Sequence, residues 1–229
     1  KRQFLVFFIS FLFPVLQMLY WTIIFPKNLL DLNILQLSLN TIYLVFLSSL
    51  VLIIFSFIAN YGNRVTRSKF LNFLTMFSIT GYAIPGVILA VAFITFVAWF
   101  DNNIIKYYEL SSIKKIFIGS IIGLVIVYFI RFYSLAYNGL KSGYERINRS
   151  IDESSYLLGY SKIKTFLGIH VPYLRNSIFL IGILISIEII KELPITLILR
   201  PFNFETFATT AYIYACLLYT SPSPRDTRR

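Results

Sequence analysis

Three charged residues stand inside an otherwise apolar stretch of the sequence: Glu188, Lys191 and Glu192. In a helix, spacings of three and four residues place them on one face, where carboxylates and an ammonium group can pair. A charge at the centre of a membrane helix costs on the order of 3 kcal/mol, so such side chains usually face a bundle interior or water. Two interpretations stay open: an ion-paired seam between helices, and the lining or gate of a polar path. Pro194 follows and frees a backbone carbonyl, which favours a hinge there.

A second candidate hinge is the sequence GYAIPG, which contains Gly81, Pro85 and Gly86 and interrupts the longest apolar stretch. Proline removes one backbone hydrogen bond and kinks or splits a helix. The two glycines also permit close packing between helices without any motion. Packing is the preferred interpretation, and a hinge or gate is the alternative.

Enzymatic and metal chemistry have few candidate residues in this chain. It has one histidine, His170, and one cysteine, Cys216, which excludes an internal disulfide and a cysteine-rich metal site. No partner acid or nucleophile is evident for His170, which is predicted to fill space at an interface. NGLKSG at 138–143 lacks the Gly-Lys-Ser core and the preceding strand of a phosphate-binding loop. We therefore expect no catalytic residue, no metal ligand and no bound cofactor.

The composition indicates an integral membrane protein. Of 229 residues, 57% are hydrophobic and 14% are charged, whereas a soluble domain has about a quarter charged residues. The formal net charge of +11 would suggest nucleic-acid binding in a soluble protein. Here the basic residues lie in loops between apolar stretches, so a positive-inside bias explains them and no nucleic-acid partner is expected.

Five stretches are long enough to cross a bilayer, which takes about 20 apolar residues at about 1.5 Å of rise per residue. A sixth apolar stretch begins near Phe207 and stops at Thr220. The sequence therefore predicts an all-α, polytopic membrane helix bundle with five spans and a truncated sixth. The predicted spans are 4–25, 39–60, 70–100, 116–135 and 177–199.

Loop charges predict the orientation of this bundle. The N-terminus and the loops after the second and fourth spans carry most of the basic residues, among them Arg64, Lys69 and Lys141. Cytoplasmic loops carry the excess of Lys and Arg in membrane proteins. Residues 136–175 are therefore predicted to be cytoplasmic.

Within that loop the sequence encodes a helix, a turn and a second helix. Ser150 and Glu153 have the spacing of a capping box, and Gly159 supplies a left-handed end for the first helix. Ser161 can cap the second helix, which Pro172 should end. An amphipathic loop on the membrane surface would show the same features. A docking element for a soluble partner is the alternative.

The same segment resembles a known motif in its spacing. The matching residues are Glu153-Ser154-Ser155, three residues, Gly159, nine residues, Ile169, one residue and Val171-Pro172. They resemble the EAA motif of binding-protein-dependent ABC importer permeases, E-A-A-x3-G-x9-I-x-L-P, with serines for both alanines and valine for leucine. In that family the motif forms a coupling helix in a groove of the cytoplasmic ATPase. The resemblance implies that small residues at 154 and 155 permit close approach and that Gly159 makes the bend.

Two further segments, 81–93 and 188–212, resemble the ferric-iron importer permeases, whose long chain has two homologous halves. The resemblance covers nearly all of residues 1–215 and fits the second half. It implies a C-terminally truncated permease domain at 1–215, in a bacterial plasma (inner) membrane. Residues 216–229 are interpreted as a non-native tail, because LLYTSPSPRD looks like a translated sequencing adapter.

The resemblance also implies partners. A permease of this family forms a translocation path in the lipid bilayer, while ATP and Mg are used by separate cytoplasmic ATPase subunits. An extracytoplasmic solute-binding protein and a first permease half or second permease copy complete the importer. The alternatives are another solute (thiamine, a polyamine, sulfate or a phosphonate), an ion-coupled carrier that uses Glu188, Lys191 and Glu192 without an ATPase, or a membrane scaffold.

Overall fold

The computed structural model describes residues 6–24, 33–66, 68–107 and 119–220. These ranges are mostly helical and contain no strand, which confirms the predicted all-α fold. The chain divides into two units, Lys1–Leu39 and Asn40–Arg229. In the first unit, a π-helical turn, Phe8–Leu12, leads directly into helix α1, Phe13–Ile24.

The remaining helices follow in chain order. They are α2 (Ile34–Thr66), α3 (Lys69–Ile79), α4 (Gly86–Tyr107), α5 (Ile121–Tyr144), α6 (Arg149–Leu157), α7 (Lys162–Thr165), α8 (Val171–Ile190), α9 (Pro194–Leu199) and α10 (Phe207–Thr220). A 3₁₀ turn, Thr80–Ala83, separates α3 from α4, and a π-helical turn, Phe166–His170, joins α7 to α8.

Four helical segments of the described ranges are long and apolar enough to cross a membrane. They are Ile34–Thr66, Gly86–Asn103, Ile121–Tyr144 and Lys162–Ile190, and the apolar segment Phe8–Tyr20 is shorter. Many large apolar side chains on these helices are exposed, among them Phe46 on α2 and Leu180 on α8. An apolar exterior is the expected surface for helices in lipid, so the prediction of a polytopic membrane bundle is confirmed.

The sequence predicts five spans, whereas four helices of the described ranges are long and apolar enough, and the bounds of the predicted spans differ from those of the helices. Two of these differences are instructive. The third, 70–100, is divided at Thr80–Ala83, at the sequence that was expected to break it. The fourth, 116–135, continues to Tyr144, because the side chains of Ala136, Tyr137 and Leu140 extend the buried face of the helix. The loop predicted to begin at 136 therefore begins after Tyr144.

The prediction that Pro172 ends the second short helix is wrong. The helix runs from Lys162 to Ile190 without interruption. In the π-helical turn, the Val171 N–H donates to the Phe166 carbonyl rather than to the carbonyl four residues back. Pro172 is the second residue after that turn, and proline has no backbone N–H to donate. The wider turn accommodates the proline inside one continuous span.

Helix α5 is the centre of the core in the second unit, and α8 packs along it. Tyr128, Phe132 and Leu140 of α5 are fully buried. A Cβ added to Gly139 would lie 2.8 Å from Ile181, and one added to Gly143 would lie 3.0 Å from Leu174. Small residues on α5 therefore let α8 approach closely, which fixes the two helices against one another.

The predicted sixth apolar stretch forms α10, Phe207–Thr220. Its start is held against α2, because the Phe207 N–H donates to the Thr41 hydroxyl over 3.2 Å. The Asn40 side chain also donates to the Glu205 carbonyl over 3.1 Å. The proposed tail begins within this helix at Cys216, and its residues 221–229 lie outside the described ranges.

Candidate functional site

The charged triplet near the end of α8 does not share one face as predicted. Helix α8 ends at Ile190, and Lys191 caps it with helical dihedrals. The chain leaves the helix at Glu192, whose N–H donates to the Ile189 carbonyl over 3.1 Å. Lys191 is exposed and pairs with Glu188, with Nζ and Oε1 2.7 Å apart. Glu192 is buried and turns instead toward α5. The triplet is therefore divided into a surface pair and a single internal carboxylate.

The partner of that carboxylate is Arg131, which the sequence reasoning missed. Arg131 lies near the middle of α5, and its Nε is 3.3 Å from Oε2 of Glu192. Its Nη1 donates to the Ile84 carbonyl over 2.6 Å. A charged residue inside an apolar run was the available signal, because such residues usually face a polar partner.

The break between α3 and α4 packs directly against this ion pair. A Cβ added to Gly81 would lie 2.2 Å from the Ile130 carbonyl oxygen, and one added to Gly86 would lie 2.7 Å from Oε1 of Glu192. Pro85 stands just before α4, where its carbonyl accepts from Leu89. The glycines thus occupy positions where close packing requires them, while a hinge role stays a prediction.

Pro194 opens the short helix α9 rather than kinking a continuous span. Thr196 of α9 donates to the Glu192 carbonyl over 2.6 Å and also shares a hydrogen bond with the buried Tyr128 hydroxyl of α5. Helices α5 and α9 therefore meet next to the Arg131–Glu192 pair. A role of this region in a path or gate stays a prediction.

The segment with the EAA-like spacing folds as two short helices joined by a glycine turn. Asn148 caps α6, and its Oδ1 accepts from the Ser150 N–H over 3.3 Å. The predicted capping box is therefore wrong: Ser150 lies inside the first turn, and Glu153 is exposed. The helix begins two residues earlier than predicted because Asn148 has the extended backbone of a cap.

The predicted turn at Gly159 is confirmed. Its φ is 81°, in the left-handed region that glycine adopts at helix ends. The Gly159 N–H donates to the Tyr156 carbonyl, and the Tyr160 N–H donates to the Ser155 carbonyl, each over 3.0 Å. The Ser161 hydroxyl then accepts from the Lys164 N–H, so Ser161 caps α7 as predicted.

Ser154 and Ser155 occupy different environments. Ser154 is exposed, whereas Ser155 is 3% exposed and its hydroxyl lies 2.9 Å from the Thr165 hydroxyl. The small residue at 155 thus permits close approach of α6 to α7 within the element. Close approach of another protein would involve position 154.

The helix-turn-helix exposes four large aliphatic side chains near its tip. Leu157 is 89% exposed and Leu158 is 78% exposed. Ile163 and Leu167 from the second helix are exposed as well. We call these four residues the apolar crest. Of the remaining motif residues, Ile169 is half-buried and Pro172 is exposed.

Beneath the crest, a polar cluster joins the helix-turn-helix to the rest of the second unit. Asp152 of α6 accepts from Arg64 of α2 and from His170, both over 2.7 Å. The expectation that His170 has no partner acid is therefore wrong. Asp152 lies 18 residues away in the chain, so no local sequence pattern pairs the two residues.

No cluster of three or more metal-ligating side chains occurs within the described ranges. The carboxylates of Asp152, Glu188 and Glu192 are each engaged in an ion pair instead. The arrangement can fix helices and present a surface, and both are mechanical roles.

Comparison with known proteins agrees with this architecture. Residues 53–215 match the family model described as the inner membrane component of binding-protein-dependent transport systems. The chain is also similar to a protein of Clostridium pasteurianum described as the probable transport system permease protein NifC. The two are 26% identical over 202 residues, which are 84% of this chain and 67% of that protein. The chain therefore belongs to the binding-protein-dependent family of ABC importer permeases and is a multi-pass protein of the inner membrane.

Proposed function

We propose that this permease is the membrane subunit of an ATP-driven importer and that residues 152–172 couple it to a separate ATPase. The observation that carries the proposal is the apolar crest at the tip of α6 and α7. Leu157 and Leu158 extend from the end of α6, next to the turn at Gly159. Two adjacent leucines with this exposure are suited to burial in a partner's groove.

The docking surface is also shaped for a specific fit. Glu153 and Ser154 are exposed beside the crest, while Ser155 is buried inside the element. The EAA-like spacing covers the same residues, and in the family this motif contacts the ATPase. The chain would bind no nucleotide or metal itself, because the partner ATPase would bind and hydrolyse ATP with Mg.

Coupling requires that the ATPase bind the inward and outward states of the permease with different free energies. We propose that closure of two ATPase subunits displaces the helix-turn-helix and rocks the bundle. The solute path would then open toward an extracytoplasmic binding protein. A first permease half or a second permease copy would complete the path. The Arg131–Glu192 pair and Gly86 are the candidate path or gate residues, because they bring α4, α5 and the end of α8 together.

Crosslinking tests the proposed coupling. The crosslinking residue is placed at Leu157, because this side chain of the apolar crest is 89% exposed. Leu157→Cys in a Cys216→Ser background would carry a photoactivatable group in native membranes, and mass spectrometry would identify the product. Ser142→Cys is the matched control, since Ser142 is exposed in the same predicted cytoplasmic segment but lies outside the apolar crest.

The proposal predicts that position 157 crosslinks to an ATPase with a phosphate-binding loop, in a yield that changes when ATP is added. Position 142 should not crosslink to it. Crosslinks from position 157 to lipid or to the permease alone would contradict it. That result would favour the ion-coupled carrier, whose uptake persists without any ATPase.

We propose ferric iron as the solute. The support is the resemblance of 81–93 and 188–212 to ferric-iron importer permeases. Reconstituted permease, ATPase and cognate binding protein should accumulate radioactive Fe³⁺ in vesicles only with ATP. Accumulation of thiamine, a polyamine, sulfate or a phosphonate in place of Fe³⁺ would contradict the solute while leaving the coupling intact.

A further inference from the structure

Asp152 is held from two sides by residues of other elements. Its Oδ2 accepts from Arg64 Nε, and its Oδ1 accepts from His170 Nε2, each over 2.7 Å. A carboxylate that accepts from both neighbours fixes the ring nitrogen of His170 that carries the proton. One side chain of α6 is therefore attached to both α2 and the π-helical turn before α8.

Arg64 connects a third element. It lies in the last turn of α2, and its Nη1 donates to the Tyr144 carbonyl over 3.2 Å at the end of α5. Its Nη2 donates to the Ile147 and Asn148 carbonyls over 3.0 and 3.1 Å. A single guanidinium thus joins the end of α2, the end of α5 and the start of α6.

Aromatic packing encloses this junction. His170 is fully buried, with its ring centroid 5.2 Å from that of Tyr61 and 5.4 Å from that of Tyr144. The Tyr61 hydroxyl of α2 donates to the Lys162 carbonyl over 2.6 Å, at the start of α7. Both helices of the helix-turn-helix are therefore attached to α2.

We infer that Arg64, Asp152 and His170 are positioning residues that make the helix-turn-helix move as one body with the adjoining ends of α2 and α5. We call these three residues the clasp. Its role in transport rests on the proposed function, because a displaced crest moves the spans only through a stiff attachment. The contacts that form the clasp do not depend on that function. A buried ion pair is weak evidence for stability. The test must therefore measure how rigidly the helix-turn-helix is held, and not the free energy of unfolding.

Pulsed electron paramagnetic resonance measures rigidity across the clasp directly. Nitroxide labels at Ile58→Cys and Leu157→Cys, both exposed, would report the distance from α2 to the crest in the full chain. The chain would carry Cys216→Ser and sit in lipid nanodiscs. A second label pair at Ile42 and Ile58, both exposed on α2, supplies the width expected for one rigid helix.

The clasp predicts a single 58–157 distance distribution about as narrow as that of the 42–58 pair. Asp152→Ala and His170→Leu should widen it by about twofold or more, because the crest then fluctuates independently of α2. His170→Gln should restore the narrow distribution, since its amide N–H can donate to Asp152. Arg149→Gln removes an exposed charge of the same helix and should change nothing.

Two results would overturn the inference. The first is a broad or two-peaked 58–157 distance distribution in the chain without clasp substitutions. This test does not depend on whether a variant folds. The second is an unchanged width in the Asp152→Ala and His170→Leu variants, provided that both insert normally. The label distances are measured without an ATPase. A result that contradicts the clasp is therefore distinguishable from a missing crosslink at Leu157, which would contradict the proposed function.

Discussion

Arg131 and Glu192 form an ion pair between α5 and the segment that follows α8, with Nε and Oε2 3.3 Å apart. Both side chains are largely buried, and Arg131 also holds the Ile84 carbonyl beside the break between α3 and α4. Three parts of the bundle therefore meet at one pair of charges.

Removing one partner of this pair should destabilise the permease more than removing both. Arg131→Gln or Glu192→Gln leaves an unpaired buried charge, which costs about 3 kcal/mol or more. The double variant leaves no unpaired charge and should recover part of the lost stability. Thermal unfolding in nanodiscs measures the stability of the three variants. A double variant whose loss equals the sum of the two single losses would contradict a direct pair.

Gly81 should not tolerate a side chain. An added Cβ would lie 2.2 Å from the backbone oxygen of Ile130, so Gly81→Ala forces α5 away and should cost about 1–3 kcal/mol. Gly62→Ala is the matched control, because no atom lies within 4 Å of its added Cβ. Equal unfolding temperatures for the two variants would show that the close approach at Gly81 is not required.

Gly159 should be required for its backbone conformation alone. No atom lies within 4 Å of an added Cβ, while φ is 81°, so Gly159→Val is strained without any clash. We expect this variant to insert normally but to lose ATPase docking and transport. Gly159→Asn should retain both, because asparagine adopts left-handed backbone more readily than other residues with side chains. Normal transport by Gly159→Val would contradict the coupling role of the turn.

The two motif serines should respond differently to enlargement. Ser155→Leu places a large side chain where the hydroxyl meets Thr165 and should separate α6 from α7 at a cost of about 1–3 kcal/mol. Ser154→Leu should leave the fold unchanged, because Ser154 is exposed. Hydrogen exchange of residues 149–170 distinguishes them, and equal protection in both variants would contradict the buried position of Ser155.

The helices and the turn could be predicted because their signals are local. Apolar length identifies spans, GYAIPG marks the break between α3 and α4, and Gly159 and Ser161 mark the end of one helix and the start of the next. The same local reasoning failed at Pro172, where a π-helical turn absorbs the proline. It also placed the first cap at Ser150 rather than at Asn148.

The clasp and the Arg131 pair could not be predicted in this way. Arg64 lies 88 residues from Asp152 in the chain, so their contact depends on how α2 and α5 pack. Glu192 could be placed with Lys191 only if α8 continued, and the helix ends at Ile190. Such contacts depend on tertiary packing, which no local pattern encodes.

The affinity of the purified ATPase for the permease in nanodiscs tests the central claim most directly. Burial of one leucine is worth about 1.5–3 kcal/mol, and about 1.4 kcal/mol corresponds to a tenfold change in affinity. Leu157→Asp with Leu158→Asp should therefore weaken binding by at least about tenfold. Ser142→Asp, an exposed position of the same predicted cytoplasmic segment outside the crest, should bind as the native chain does. Native affinity in the double leucine variant would contradict the apolar crest as the docking surface.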